Sequence, residues 1–341
     1  MARPINVKRI SVLGVAAVCA AWAQAPRLGD IEFYGLRRLS AAKLKQTLNI
    51  KEGDPLPPSK GDLEERLEAV PGVVQVRVEA VCCQEGKAIL FVGIEEKGAP
   101  HFAFRSAPSG SAEFPQEIVD TYMKFLQAVE SAGRRGKIAE DLTKGHGLMA
   151  DPEPREVQQK FLEIAKERLP LLREVLRACA EPEQRAIAAA LIGYAPDKKA
   201  VLDDLQYAMQ DPDEGVRANA MRSLTAFAVL AAREPGLGMR IPATWFVEML
   251  NSIVLSDRIR AATALVTLTE KDAAAVLQQV RERALDSVVE MARWKALDYA
   301  LPPFILVARL AGLNQEQTEE AWTHGEREKV IAKALGSRAR K

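Results

Sequence analysis

The chain has 341 residues, enough for about two or three domains, and its 48% hydrophobic and 27% charged residues are typical of a globular protein. The 47 basic and 46 acidic residues give a net charge of +1, so the basic excess that accompanies nucleic-acid binding is missing and no nucleic-acid partner is expected. Three histidines and four cysteines leave few ligands for a metal site, so no metal or cofactor is predicted. Since only 6% of the residues are aromatic as well, the composition favours a helical binding protein over an enzyme.

The first 23 residues have the pattern of a secretory signal peptide. Three basic residues without an acidic one precede an apolar run over residues 10–22, which is shorter than the roughly 20 residues of a membrane-spanning helix. The small residues Ala21 and Ala23 favour cleavage after Ala23. We therefore expect export across the inner membrane and a periplasmic location. An uncleaved signal that anchors the chain in the inner membrane is the alternative.

Residues 28–97 are predicted to form a small mixed domain with the order β-α-α-β-β. The segments are, in order, a strand over Asp30–Tyr34, a helix after Ser40, a helix over Ser59–Val70, and strands over Val73–Val81 and Lys87–Glu96. In the second strand apolar and polar residues alternate, which is typical of a half-buried strand. One face of this strand is expected to carry Val74, Val76 and Val78. The opposite face is expected to carry Gln75, Arg77 and Glu79.

This order of elements resembles a POTRA domain, the periplasmic module of outer-membrane barrel assembly factors, two-partner secretion transporters and a bacterial cell-division protein. The resemblance rests on Ile31-Glu-Phe-Tyr-Gly35, Ile50-Lys-Glu-Gly53, Leu63–Val70 leading into Val73-Val-Gln-Val76, and Ile94-Glu-Glu96. It implies partner binding by strand addition at an exposed sheet edge. We place that edge on the second strand, with the candidate partner-binding residues Val73, Gln75, Arg77 and Glu79. An edge covered by the rest of the chain is the alternative.

Residues 98–115 are predicted to be a linker, because they contain three prolines and a Ser-Ala-Pro-Ser-Gly-Ser run. Residues 116–154 are expected to form one helix, with Ile118 and Phe125 on its apolar face, and then a loop over 133–154. His146 lies between two glycines of this loop. It is either a ligand-facing group or an exposed histidine without a role, and the second interpretation is favoured.

Residues 155–336 are expected to be helical and contain an internal repeat. Four segments share the pattern Arg-x-x-Ala, and the intervals between their arginines are 32, 41 and 35 residues. The arginines are Arg185, Arg217, Arg258 and Arg293. Periods of this size are typical of stacked helix pairs. The small alanine permits close packing of neighbouring helices, and the arginine is expected to bridge to an acid or a carbonyl of the adjacent repeat.

These segments resemble HEAT repeats, of the kind also found in bilin-lyase-like proteins, and Asp211–Leu224 is the clearest copy. The resemblance implies an α-solenoid that binds protein partners. HEAT-type hydroxylases hold iron with His-Glu dipeptides, but His101, His146 and His324 are followed by Phe, Gly and Gly. No catalytic residue is carried over from either enzymatic relative.

Two further features have alternative interpretations. The first is the pair of cysteines at positions 82 and 83. In an oxidising compartment Cys82 and Cys83 could form a disulfide with each other, or one of them could pair with Cys179. Inert thiols are the favoured interpretation. Trp245 and Trp294 are candidate partner-binding anchors, although filling of the solenoid core and its seam is favoured.

The fold class predicted from these observations is a multi-domain α+β chain. Its parts are a signal peptide (1–23), a POTRA-like domain (28–97), a linker (98–115), a helix and long loop (116–154), a HEAT-like α-solenoid (155–336) and a basic tail (337–341). No nucleophile-and-base arrangement or phosphate-binding loop is found, so no catalytic residue is predicted.

The expected function is that of an exported, non-enzymatic scaffold for protein–protein interaction in the bacterial cell envelope. Outer-membrane assembly or secretion components are the expected partners, with membrane association only through a partner. An envelope enzyme or chromophore-handling protein that uses His146 or the cysteines, and an inner-membrane-anchored protein of the division type, are the alternatives.

Overall fold

The computed structural model describes residues 26–84, 86–271 and 273–336, without the side chains of Cys83 and Gln84. The predicted signal peptide and basic tail lie outside these residues. The N-terminal part contains β1 (Arg27–Tyr34), α1 (Ala41–Leu48), α2 (Lys60–Glu68), β2 (Val73–Gln84) and β3 (Lys87–Glu96). The rest contains α3 (Gln116–Arg134), β4 (Glu140–Asp141), β5 (Leu148–Met149), α4 (Pro152–Glu167), α5 (Leu169–Ala178), α6 (Pro182–Ile192), α7 (Leu202–Ala208), α8 (Glu214–Arg233), α9 (Thr244–Met249), α10 (Leu255–Leu268), α11 (Ala274–Arg283), α12 (Leu285–Ala292), α13 (Leu297–Leu310), α14 (Gln315–Thr323) and α15 (Arg327–Gly336).

The N-terminal part is a three-stranded sheet covered by two helices. The strand order is β1-β3-β2, and the central strand β3 runs parallel to β1 and antiparallel to β2. Helix α2 begins after Ser59, whose side chain accepts a hydrogen bond from the Asp62 amide, and α1 ends at Asn49 in the left-handed conformation. The predicted order of elements is therefore present, and β1 and β2 are the two edge strands.

Both faces of this sheet are buried. Leu90 and Val92 of β3 pack on one face against α1 and α2, and Ile89 and Phe91 pack on the other against the helical part. Alternate residues of a strand point to opposite faces, so a continuous apolar run such as 88–92 is expected where both faces are covered. The sheet is consequently a middle layer between two sets of helices.

The predicted alternation of buried and exposed residues in β2 is wrong at Val74. The pairing of β2 with β3 shifts between Val73 and Gln75, which marks a β-bulge. Val76 and Val78 are buried as expected, whereas Val74 is 55% exposed. Because a bulge adds one residue to one strand, Val74 no longer shares a face with the two valines that follow.

The helical part is an array of two layers. Helices α6, α8, α10 and α13 pack side by side, and α5, α7, α9 and α12 pack against them. Ala188, Ala220 and Ala261 of the Arg-x-x-Ala segments are fully buried, which allows the close approach of neighbouring helices. Within the described residues, no helix has both the length and the hydropathy needed to span a membrane.

The predicted linker over 98–115 contains no helix or strand, but it is packed against the array. The Arg105 amide donates to the Gln210 carbonyl at 2.9 Å, and the Arg105 guanidinium forms an ion pair with Asp211. The Ala180 amide donates to the Gly110 carbonyl at 2.9 Å. These contacts make the segment a fixed connection along the array, which its composition did not predict.

The long loop expected over 133–154 is only partly irregular. Helix α3 continues to Arg134, and the short strands β4 and β5 form an antiparallel pair. Asp151 caps α4 by accepting a hydrogen bond from the Glu153 amide. The chain between α3 and α4 is thus folded back on itself as a short hairpin.

Candidate interaction site

The repeated arginines connect each helix pair to the next. Arg185 forms a bidentate ion pair with Asp211, with both nitrogen–oxygen distances at 2.9 Å, and it also donates to the carbonyls of Cys179 and Ala180. A guanidinium has five donors in one plane, which suits a carboxylate and two carbonyls at once. The arginine therefore ties the end of one repeat to the start of the following helix.

Each of the other three arginines also pairs with an acidic residue further along the chain. Arg217 pairs with Asp257 at 2.8 Å, Arg258 with Glu290 at 3.3 Å, and Arg293 with Glu328 at 2.9 Å. Each acidic partner lies 32 to 40 residues after its arginine. The bridge to an adjacent repeat that the sequence predicted is thereby confirmed. We call this series of pairs the arginine ladder.

The N-terminal sheet docks onto the third step of the ladder, the pair of Arg258 and Glu290. The Tyr34 hydroxyl donates to the Ile253 carbonyl at 2.7 Å, and the Gly35 amide donates to Glu290 at 2.9 Å. The guanidinium of Arg258 lies 4.7 Å from the centroid of the Tyr34 ring. The Arg258 side chain therefore contacts both the next helical repeat, through Glu290, and the N-terminal sheet, through Tyr34.

Trp294 fills the seam between sheet and array. It is 2% exposed, and its ring lies 5.9 Å from the Tyr34 ring and 5.1 Å from the Phe91 ring, both edge to face. Its assignment as a partner-binding residue is therefore wrong, because no partner reaches a side chain at this depth. Trp245 is half-buried and packs edge to face against Phe102 of the connecting segment at 5.6 Å.

A small cleft of about 280 Å³ opens beside this seam. Its walls come from the turn after β1, the start of β2, the end of β3, the connecting segment and the turn before α10. The lining side chains that carry charge or hydrogen-bonding groups are Arg37, Gln75, Glu95, His101, Asn251, Ser252 and Arg258. A space of this size holds a side chain or a small molecule rather than a protein surface.

Strand β2 presents the edge at which partner binding was predicted. Val73, Gln75, Arg77 and Glu79 all lie on it, opposite Glu96, Glu95, Gly93 and Phe91 of β3. The amides directed to the outer side belong to the residues between them. The Val76 amide donates to Glu68 at 3.1 Å and the Val78 amide to Glu64 at 2.8 Å, so both bond to side chains of α2 instead of β3.

Glu79 fixes the middle of β2 to the helical array. Its carboxylate accepts a hydrogen bond from the Leu255 amide at the start of α10. Burial raises the pKa of Glu79, and the nearby Glu214 carboxylate raises it further. Glu79 is thus a contact within the protein, whereas Arg77 is exposed and available to a partner.

The structure shows the bonding state of two cysteines, Cys82 and Cys179. Cys82 is disulfide-bonded, and Cys179 is a buried free thiol. The pairing of Cys82 with Cys179 is therefore absent, and the favoured expectation of an inert thiol at Cys82 is wrong. The side chain of Cys83 lies outside the described part of the chain, so a bond between the two neighbours stays a prediction.

His146 is half-buried rather than exposed. Its Nδ1 lies 3.5 Å from the Lys198 ammonium, and its ring lies 5.5 Å from the Tyr194 ring. Burial lowers the pKa of His146 to about 4, and the positive charge of Lys198 contributes to the shift. Burial lowers the pKa of Lys198 to about 8. The cluster could not be predicted from the sequence, because Lys198 is 52 residues away from His146.

Polar contacts hold the loop around His146, and they leave no space for a side chain at Gly147. The Tyr194 hydroxyl donates to the Gly147 carbonyl at 2.9 Å, and Glu140 forms an ion pair with Arg222. A Cβ at Gly147 would lie 1.9 Å from Glu140 Oε1. Gly145 has a positive φ of 71°, and a Cβ there would lie 2.7 Å from Leu230, so backbone conformation and packing explain the two glycines beside His146. Within the described residues, no group of three or more His, Cys, Asp or Glu side chains is arranged to hold a metal ion.

Comparison with protein families identifies one segment of the helical array. Residues 169–235 match the family model of HEAT repeats, a segment that runs from α5 to just beyond α8 and contains the ladder arginines Arg185 and Arg217. A search of curated proteins gives no match to the chain. Together with the ladder, the match supports a helical, solenoid-like array with HEAT repeats over residues 169–235, joined to a small mixed sheet.

Proposed function

We propose that the protein is an exported, non-enzymatic scaffold for protein–protein interaction in the bacterial cell envelope. HEAT-repeat arrays commonly bind protein partners along their extended surfaces, and the match to residues 169–235 supports this general role. The observation that carries the proposal is the edge strand β2, which lies beside the array with its Val76 and Val78 amides bonded to side chains of α2 instead of to another strand.

The proposed mechanism is the addition of a partner strand to β2. Among the described residues, the sheet order β1-β3-β2 gives the 12-residue strand β2 a neighbouring strand on one side only. Main-chain hydrogen bonds to such an edge give affinity, and the side chains on either side of it select the sequence. The exposed Arg77 and Val74 are available for that selection.

The proposed location and partners rest on the sequence. The basic and apolar pattern of residues 1–23 is that of a cleaved signal peptide, and the POTRA-like order of elements is typical of proteins beside outer-membrane assembly or secretion machines. The mass of the mature N-terminus tests export. A chain that begins at Gln24 in the periplasmic fraction supports it, and an intact chain in the cytoplasm contradicts it.

The edge mechanism is tested by cross-linking pull-down from the native envelope with the wild type and the Val76→Pro variant. Proline removes the outer N–H of this position but no hydrogen bond to β3, so the sheet is expected to persist. Loss of the captured partners with an unchanged circular dichroism spectrum supports strand addition. An unchanged set of partners excludes it.

A further inference from the structure

Two glutamates of α2 occupy the outer side of β2. Glu64 accepts the hydrogen bond of the Val78 amide at 2.8 Å, and Glu68 accepts that of the Val76 amide at 3.1 Å. Glu64 and Glu68 are four positions apart, which is about 6 Å along a helix, and Val76 and Val78 are two positions apart, which is about 6.6 Å along a strand. One helical turn of α2 therefore matches one repeat of outward donors on β2.

We infer that Glu64 and Glu68 form a gate on the β2 edge, which an extended peptide segment of a partner protein opens. Their carboxylate oxygens stand where the carbonyl oxygens of an added strand would accept the same two hydrogen bonds. This inference rests on the proposed function, because a gate has a role only if strands are added at this edge.

The gate is built to open without moving the helix. Leu63 and Leu67 of α2 are buried in the core against the sheet and hold the helix in place. Glu68 is exposed and Glu64 is half-buried, so both carboxylates reach water by rotating their side chains. Because both side chains already reach solvent, this rotation leaves the core packing of Leu63 and Leu67 unchanged.

The gate also protects the free protein. An unpaired edge strand is a template for pairing with other chains, and natural proteins block such edges with charged side chains. Two carboxylates at the outer amides of β2 exclude weakly binding strands. A partner must supply two well-placed carbonyls to replace the hydrogen bonds that it displaces.

The experiment compares three full-length proteins: the wild type, the Glu64→Ala/Glu68→Ala variant and the Glu64→Gln/Glu68→Gln variant. Glutamine keeps a side-chain carbonyl acceptor without the charge, while alanine removes the acceptor. Amide hydrogen exchange at Val76 and Val78 reports the gate itself. The probe for strand addition is a fluorescein-labelled peptide of alternating valine and threonine flanked by lysines, whose binding is followed by fluorescence anisotropy.

We expect exchange at Val76 and Val78 to be about tenfold faster in the alanine variant than in the wild type, with the glutamine variant between them. We expect the peptide to bind the alanine variant about tenfold more tightly than the wild type, and Val76→Pro in the alanine background to abolish binding.

The measurements distinguish failure of the gate from failure of strand addition. Equal exchange or equal peptide affinity in all three proteins overturns the gate and leaves strand addition intact. Faster exchange without peptide binding to any of the proteins overturns strand addition at this edge and the gate with it. A concentration-dependent dimer of the alanine variant that Val76→Pro abolishes assigns the edge to a second copy of the chain and overturns the peptide as its occupant.

Discussion

The four ladder arginines make the same kind of contact in different surroundings. The Arg217 and Asp257 side chains are almost completely buried, whereas the Arg293 and Glu328 side chains are 49% and 67% exposed. Removal of one partner from a buried pair leaves an uncompensated charge, while an exposed pair is screened by water. The repeat motif is therefore uniform in sequence but not in its contribution to stability.

We expect Arg217→Ala to lower the free energy of unfolding by about 3–5 kcal/mol, because Asp257 and the carbonyls of Asp211 and Pro212 lose their donor. Arg293→Ala is the matched control on the same ladder and should cost at most about 1 kcal/mol. Urea denaturation of both variants measures the difference. Equal losses would show that burial of the pair does not set its contribution.

The His146 and Lys198 pair predicts a specific change in titration. In Lys198→Met the neighbouring positive charge is lost but burial remains, so the pKa of His146 should rise from about 4 and stay below 6.5. An NMR titration of the His146 ring measures this shift. Lys199→Met, which changes an exposed neighbour, should leave the titration unchanged.

The same pKa gives the protein a defined pH dependence. The unfolded chain binds a proton on His146 below about pH 6.5, and the folded protein binds it only below about pH 4. This contribution to stability is present above pH 6.5 and is lost as the pH falls towards 4. The loss should be smaller in Lys198→Met, because the two pKa values then lie closer together. Chemical denaturation at pH 7 and pH 5 compares the two proteins.

At the scale of the elements, adjacent positions of β2 should respond differently to proline. The Arg77 position pairs with Gly93 of β3 and supplies hydrogen bonds within the sheet, whereas the Val76 amide bonds only to Glu68. Measured against the alanine variant at the same position, which accounts for the burial of Val76, Arg77→Pro should therefore lower the melting temperature by several degrees more than Val76→Pro does. Thermal unfolding followed by circular dichroism measures both. Equal losses would mean that the outer and inner sides of β2 are wrongly assigned.

The elements were predictable because hydrophobic periodicity determines them. Alternation identified β2, spacing of leucines identified α2, and the Arg-x-x-Ala repeat identified the long helices of the array. The apolar run over 88–92 also carries information on packing, because only a strand buried on both faces has no polar side. The bulge at Val74 has no such signal, since the alternation of residues around it is unbroken.

The candidate interaction site was predictable only as a strand. The sequence placed it on β2, but which amides point outward depends on the pairing register, and the register depends on the bulge. The spacing of Glu64 and Glu68 by one helical turn is a signal in the sequence, but their target became visible only when α2 was packed against β2. Docking of Trp294 against Phe91 joins residues about 200 positions apart, which no local pattern reports.

At the scale of the whole molecule, the sheet and the array share one hydrophobic core. Tyr34, Ile89 and Phe91 of the sheet belong to the same buried cluster as the helices of the array. The packed segment over 98–115 adds contacts between the two parts. We therefore expect sheet and array to unfold together, in contrast to domains joined by a loose linker.

Gly93 provides the test, because it lies where the sheet touches the array. A Cβ at this position would lie 2.6 Å from the Ile253 carbonyl oxygen and 2.6 Å from the Tyr34 ring, so Gly93→Ala forces the two parts to separate. We expect one calorimetric transition in the wild type and two in Gly93→Ala, with new proteolytic cleavage within residues 98–115. Gly61→Ala in α2, where the nearest atom is 3.7 Å away, should keep a single transition. A single transition in Gly93→Ala would mean that the docking contacts of Tyr34 and Trp294 withstand this displacement and that the interface is more adaptable than its packing indicates.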